Sequence, residues 1–221
     1  MILYHGSDKI IKKPFINGGR VHNDYGSGFY CTEFPDMARE WSVGAGQNGY
    51  LNCYDFDLSG LSVIDLNDHS ILTWLAVLLQ NRTFTIETPL AASAKDYIVS
   101  EFGTDYLQYD VIRGYRADDS YFSFAQDFLC NVISYQQLKK SMYLGDLGEQ
   151  IVLKSAVAYE HIKFSYYENV PMVPWLERKN ERDAKARKAY FSIDRDSYVP
   201  GGIYIVNILD ERMRKDDPRL R

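Results

Sequence analysis

The stretch LYHGSDKIIKKPFINGGRVHNDYGSGFYCTE, residues 3–33, decides how the chain is read. It opens on a short apolar strand, Ile2–His5, that breaks at Gly6. A polar loop over residues 8–27 follows, punctuated by Gly18-Gly19-Arg20 and by Asn23-Asp24-Tyr25-Gly26. A second strand, Phe29–Thr32, then closes a Gly-x-Gly step with Tyr30. Far downstream, Glu149-Gln150-Ile151-Val152-Leu153 opens a late apolar strand on two polar residues.

Working outward, Pro35 sits where a helix can begin, and residues 36–41 carry helical spacing. Tyr50–Asp57 alternates as a half-buried strand, and Leu61–Leu66 reads as another. Ile71–Leu79 is too long and apolar for a typical strand, so a buried helix ending near Asn81 is expected. Thr88-Pro89 supplies a cap and a first-turn proline for a helix reaching about Phe102. Further expectations are a strand at Tyr109–Tyr115, a helix Ser120–Cys130 capped by Asp118-Asp119, and a helix Tyr135–Tyr143 capped by Ser134. A strand Gln150–Ser155 and a short helix near 157–161 complete this part. Mixed elements without a regular βαβ rhythm make the fold class α+β. Composition changes near residue 165, which predicts a domain at 1–165 and a mostly helical extension at 166–221, packed on the domain or gating it. That extension carries a charged, helix-prone segment at 175–190, with Arg178–Lys188 as a solvated face, and a basic, frayed tail after Glu211.

At 221 residues and 46% hydrophobic content the chain can bury a full core. A net charge of −5 and an isoelectric point near 5.4 argue against a broad footprint for duplex nucleic acid, though not against a local basic cleft. Cys31, Cys53 and Cys130 are an odd count without a CxxC pair, which fits reduced thiols rather than a disulfide frame or a zinc site. The residues MILYHG lack the features of a signal peptide, and no apolar run is long enough to span a bilayer. A cytoplasmic protein without membrane attachment is the expectation. Gly26-Ser27-Gly28 lacks a third glycine and precedes a strand where a dinucleotide fingerprint needs a helix, and there is no Walker loop. His22, His69 and His161 show no metal-ligand spacing.

In that order and with those neighbours, His5, Tyr30 and the Glu149-Gln150 pair resemble the NAD+ cleft of ADP-ribosyltransferases of the diphtheria-toxin and poly-ADP-ribose-polymerase type. Residues 3–33, YDVIRGYRADDSYF and EQIVLKSAVAYEHIKF are further similar to the bacterial domain-of-unknown-function family 3990, grouped with those enzymes by such motifs. The resemblance implies an ADP-ribosyltransferase-like split β-sheet core with flanking helices. It implies NAD+ as substrate and a macromolecular acceptor that is protein or nucleic acid; single rather than repeated transfer is expected because chain elongation needs a second ADP-ribose site, and the sequence shows none. Similar families include toxins of toxin–antitoxin or phage-defence systems, so a small neutralising partner protein is implied too.

The residues suit that chemistry. His5 can hydrogen-bond ribose hydroxyls with either nitrogen. Gly6, lacking a Cβ, can let a planar amide approach, with Ser7 beside it. Tyr30 can offer its ring face to the positively charged nicotinamide, and Gly28 shapes the loop before it. Arg20 can pair with the pyrophosphate, and Arg116 or Asp118 can sit at the rim as cofactor or acceptor contacts. In the third position Glu149 and Gln150 compete, because adjacent strand side chains face opposite ways. The polymerase pattern Glu-x-Ile-Val-Tyr favours Glu149, whereas the related bacterial family favours Gln150. A glutamine can orient ribose but cannot act as a base. The alternative reading is therefore a catalytically degenerate protein that binds NAD+ or an ADP-ribosyl group. A third is a partner-binding protein that works through the helical tail.

Overall fold

The computed structural model describes residues 1–16, 18, 22–44, 46–117, 119–141, 148–192 and 198–220, with the backbone alone at 119–121. The strands are β1 (Ile2–Ser7), β2 (Phe29–Cys31), β3 (Gly49–Phe56), β4 (Val63–Asp65), β5 (Val111–Tyr115), β6 (Glu149–Leu153) and β7 (Ile162–Val170). The helices are α1 (Pro35–Ser42), α2 (Ile71–Asn81), α3 (Pro89–Phe102), α4 (Asp119–Leu129), α5 (Tyr135–Ser141), α6 (Ala156–Glu160), α7 (Met172–Phe191) and α8 (Ile205–Asp210). One sheet is antiparallel in the order β1-β3-β7; the other has the order β2-β6-β5-β4, with only the β4–β5 pair parallel. The sheets meet at Tyr4 and Thr32, whose backbones exchange hydrogen bonds of 2.8 and 2.9 Å. This junction brings the end of β1 beside β2. The architecture is α+β, with two sheets and flanking helices.

Helix α2 explains where the main core lies. Ile71 through Leu79 are all buried, so the helix is apolar on every side and runs through the interior. Ser70 caps its start by accepting from the Leu72 N–H, and Thr88 caps α3 by accepting from the Ala91 N–H at 3.1 Å. The far end of α2 delivers Arg82 to the glycine loop, where its Nη1 donates to Asp24 Oδ1 at 3.3 Å.

Helix α1 packs directly on β1 and β3, and two glycines make this possible. A Cβ on Gly6 would stand 1.8 Å from the Ala38 carbonyl oxygen, and one on Gly49 would stand 2.3 Å from that of Ser42. Strand β1 therefore continues through Gly6 to Ser7 rather than breaking there, because its pairing with Leu51 and Tyr50 of β3 outlasts the missing side chain.

The C-terminal part departs further from expectation. Strand β7 crosses residue 165, pairing with β3 along its whole length, so the expected boundary falls inside a strand. The tail after Glu211 is packed rather than frayed. Met213 and Leu220 are buried, and the Tyr135 hydroxyl donates to the Leu220 carbonyl at 2.7 Å. The charged face of α7 is only partly solvated: Arg182 donates from Nε to Glu40 Oε2 at 2.9 Å, which ties α7 to α1. Tyr190 is buried against Phe124, with ring centroids 3.7 Å apart. None of the described helices is long and apolar enough to cross a membrane.

Candidate functional site

A cleft of about 710 Å3 opens where the two sheets meet. His5, Gly6, Ser7, Gly28, Tyr30, Arg116 and Gln150 line it, so residues from β1, β2, β6 and the segment after β5 converge on one space. A second cavity of about 550 Å3 lies around Ser70, Thr73 and Tyr135, and no expected site residue borders it. The first volume is the candidate site, and its size is ordinary for a small-molecule pocket.

The β1 strand alternates, so Leu3 and His5 face one way while Tyr4 and Gly6 face α1. The absent Cβ of Gly6 accordingly serves α1 rather than a ligand amide. The His5 ring packs on Phe29, with centroids 4.5 Å apart, and its Nδ1 meets the Tyr30 carbonyl oxygen at 2.6 Å. A carbonyl only accepts, so Nδ1 carries the hydrogen and Nε2 keeps its lone pair. Surrounding atoms crowd the ring even though the residue retains some surface in the cleft. That desolvation moves the imidazole below the ordinary histidine value, the hydrogen bond to Tyr30 acting the other way.

Tyr30 spends its hydroxyl on the glycine loop. The Oη donates to the Gly26 carbonyl at 2.7 Å and accepts from the Tyr25 N–H at 3.0 Å. Gly26 has φ of +72°, a conformation that side-chain-bearing residues resist, and this sets the turn that brings its carbonyl under Tyr30. Burial holds the phenol far above its usual range, so it stays neutral. Lys154, at the end of β6, grips the same loop by donating from Nζ to the carbonyls of Tyr25, at 2.7 Å, and Ser27.

The competition between Glu149 and Gln150 is resolved by strand alternation. Gln150 is buried and lines the cleft. Its Nε2 donates to Asp24 Oδ2 at 3.0 Å and to the Tyr115 carbonyl at 3.3 Å. Glu149 does not line the cleft. It lies among charges on the other face, where its Oε2 accepts from Arg113 at 2.6 Å, with Glu33 and Asp65 against the same guanidinium. Expecting Glu149 in the cleft fails because β6 can present only one of the two neighbours, and Arg113 takes the other.

Besides the exposed Asp8, the cleft is lined by the carboxylate of Asp24, from the glycine-punctuated loop. It is buried, and it accepts from the Ala117 N–H at 2.9 Å as well as from Gln150 and Arg82. Desolvation raises its pKa, although those hydrogen bonds and the charges of Arg82 and Arg116 act against the rise. Arg82, Arg116 and Lys179 bring positive charge to the cleft wall. The Arg116 guanidinium lies over the Trp41 ring, 5.3 Å from its centre, and Phe15 stands exposed at the rim. Sequence reasoning missed Asp24, Arg82, Trp41, Phe15 and Lys179. Only Asp24 carried a signal, its place two residues before the Gly-x-Gly step. Arg20 and Asp118, both expected at the cofactor, lie outside the described residues. Among the described residues, no group of three His, Cys, Asp or Glu side chains is placed to hold a metal ion.

The arrangement brings a histidine, a carboxamide, aromatic rings and cationic side chains into the lining of one cleft. Over residues 1–164 the chain matches the family described as "Protein of unknown function (DUF3990)", and it belongs to that family. No curated protein and no solved structure matches it.

Proposed function

We propose that the protein is an NAD+-dependent mono-ADP-ribosyltransferase that cleaves the bond between nicotinamide and ribose and passes the ADP-ribosyl group to a macromolecule. One observation carries the proposal: His5, Tyr30 and Gln150, from three different strands, line a single cleft. The pocket's polarity supports it. His5 Nε2 is an acceptor because Nδ1 is committed to Tyr30, and sugar hydroxyls are donors that fit such an atom. The Tyr30 and Trp41 rings offer faces to a cationic planar ring, and Arg82, Arg116 and Lys179 suit a pyrophosphate.

In this reading the pair of electrons in the broken C–N bond leaves with nicotinamide, and the positive charge develops on the ribose. His5 and Gln150 hold the ribose hydroxyls, and Tyr30 holds the departing ring. The acceptor's nucleophile forms the new bond at the same carbon and loses its proton to solvent water. Gln150 cannot take that proton, so an acceptor that is already nucleophilic suits this cleft best. Incubation with NAD+ labelled in its adenine moiety, in cell lysate, tests the proposal. Label should appear on a macromolecule with wild type and not with His5→Ala.

A second reading is favoured by the neutrality of Gln150, which places no negative charge beside the ribose. Under it the protein binds NAD+ or an ADP-ribosyl group without chemistry. Calorimetric binding of NAD+ with no nicotinamide release over hours would select it.

A further inference from the structure

We infer that Asp24 is a positioning residue for Gln150, fixing the carboxamide so that its oxygen, not its nitrogen, is offered to a ligand hydroxyl. The pairing itself stands on geometry alone; its role toward a sugar hydroxyl rests on the transferase reading.

A glutamine amide has a donor end and an acceptor end of nearly equal size, and an unrestrained one presents either. Here the nitrogen faces two groups that can only accept, the Asp24 carboxylate at 3.0 Å and the Tyr115 carbonyl at 3.3 Å. The reversed amide would set its oxygen against both. Asp24 is itself immobilised, since its Oδ2 also accepts from the Ala117 N–H at 2.9 Å and its Oδ1 accepts from Arg82 at 3.3 Å. Only about 5% of its surface is exposed, so water does not stand in for these partners. With the nitrogen held inward, the carboxamide oxygen is the atom left to meet a ligand. Asp24 reaches Gln150 from 126 residues away in the chain, which couples the glycine loop that carries Tyr30's anchor to the third strand of the site.

This pairing also accounts for a glutamine at position 150. A glutamate there would put two carboxylates about 3 Å apart in a buried place, where like charges cannot both ionise comfortably. The acid is carried by Asp24 instead, in the same cleft lining, and position 150 is left neutral and accepting. Simple exchange of the two side-chain types does not restore the pair, because an asparagine nitrogen at 24 would stand against the Ala117 N–H and a glutamate at 150 against the Tyr115 carbonyl.

Four full-length proteins test the inference: wild type, Gln150→Met, Asp24→Ala, and the double variant. Urea unfolding midpoints report the pair whatever the protein does, and nicotinamide release from NAD+ reports its role. Each single variant should lower the midpoint and reduce kcat by roughly 10- to 100-fold, with a smaller change in KM, and the double variant should lose clearly less than the sum of the two. Losses that simply add in the double variant would overturn the inference. Should wild type release no nicotinamide, the transferase reading falls on its own, and sub-additive or additive losses in the midpoints still decide the pair. Should Asp24→Ala not fold, Asp24→Glu supplies the second route: it should reduce release in wild type and change it little in the Gln150→Met background. An equal reduction in both backgrounds would overturn the coupling.

Discussion

The Nδ1 of His5 and the carbonyl oxygen of Tyr30 lie 2.6 Å apart, and the bond between them crosses from one sheet to the other. It fixes a histidine tautomer with main-chain chemistry, so no side chain of the cleft is consumed in orienting the imidazole. A pH dependence follows. Desolvation keeps the folded imidazole below its ordinary value, so the unfolded chain takes up the proton first as pH falls. The stability contributed by the neutral ring is present above about pH 6.5 and declines below it. The thermal midpoint of wild type should therefore fall more steeply between about pH 7 and about pH 5 than that of His5→Gln. Equal slopes would show that His5 titrates normally.

Tyr30→Phe keeps the ring and removes the hydroxyl. Two backbone groups, the Gly26 carbonyl and the Tyr25 N–H, then lose their shared partner. A loss of about 1–3 kcal/mol is expected for groups left unsatisfied in this way. Urea unfolding measures it, and a variant as stable as wild type would mean that the loop is held without Tyr30.

Gly6→Ala should be among the most damaging single-methyl changes in the chain. The added carbon would meet the backbone oxygen of Ala38 at 1.8 Å, and backbone cannot turn aside as a side chain can. The expected cost is about 3 kcal/mol or more, read as a lowered thermal midpoint or loss of soluble protein. A normal midpoint would show that α1 shifts freely on β1.

Removal of residues 171–221 should leave a chain that does not fold. Tyr190, Ile203, Ile205, Ile208, Met213 and Leu220 belong to the same apolar core as α2 and α3, although they lie outside the stretch matched by the family. Circular dichroism and heteronuclear NMR of the truncated chain test this. A cooperative, well-dispersed fold at 1–170 would show that the extension is an accessory layer.

Much of this architecture is legible from local signals. Ile71–Leu79 reads as a buried helix because its apolar run is unbroken, and α3 reads from Thr88-Pro89 because cap and proline act within one turn. Strand β7 was hidden by its exposure. Lys163 and Ser165–Tyr167 face solvent, so no alternation of apolar and polar residues marks it, although its Phe and Tyr content was a usable strand signal. The site divides the same way. His5, Tyr30 and the 149–150 pair stand out by position, whereas the choice between the pair depended on Arg113, and the part played by Asp24 depended on Ala117, 93 residues away. Such partners are made by folding and leave no spacing in the sequence.

The central claim is chemistry at the nicotinamide–ribose bond, and chromatographic detection of nicotinamide released from NAD+ by purified protein, with and without lysate, tests it most directly. The account predicts release that falls roughly 100-fold or more in Gln150→Ala and in His5→Ala, with Glu149→Gln retaining most of the wild-type rate. Release unchanged in the His5 and Gln150 variants, or none from wild type despite bound NAD+, would contradict it.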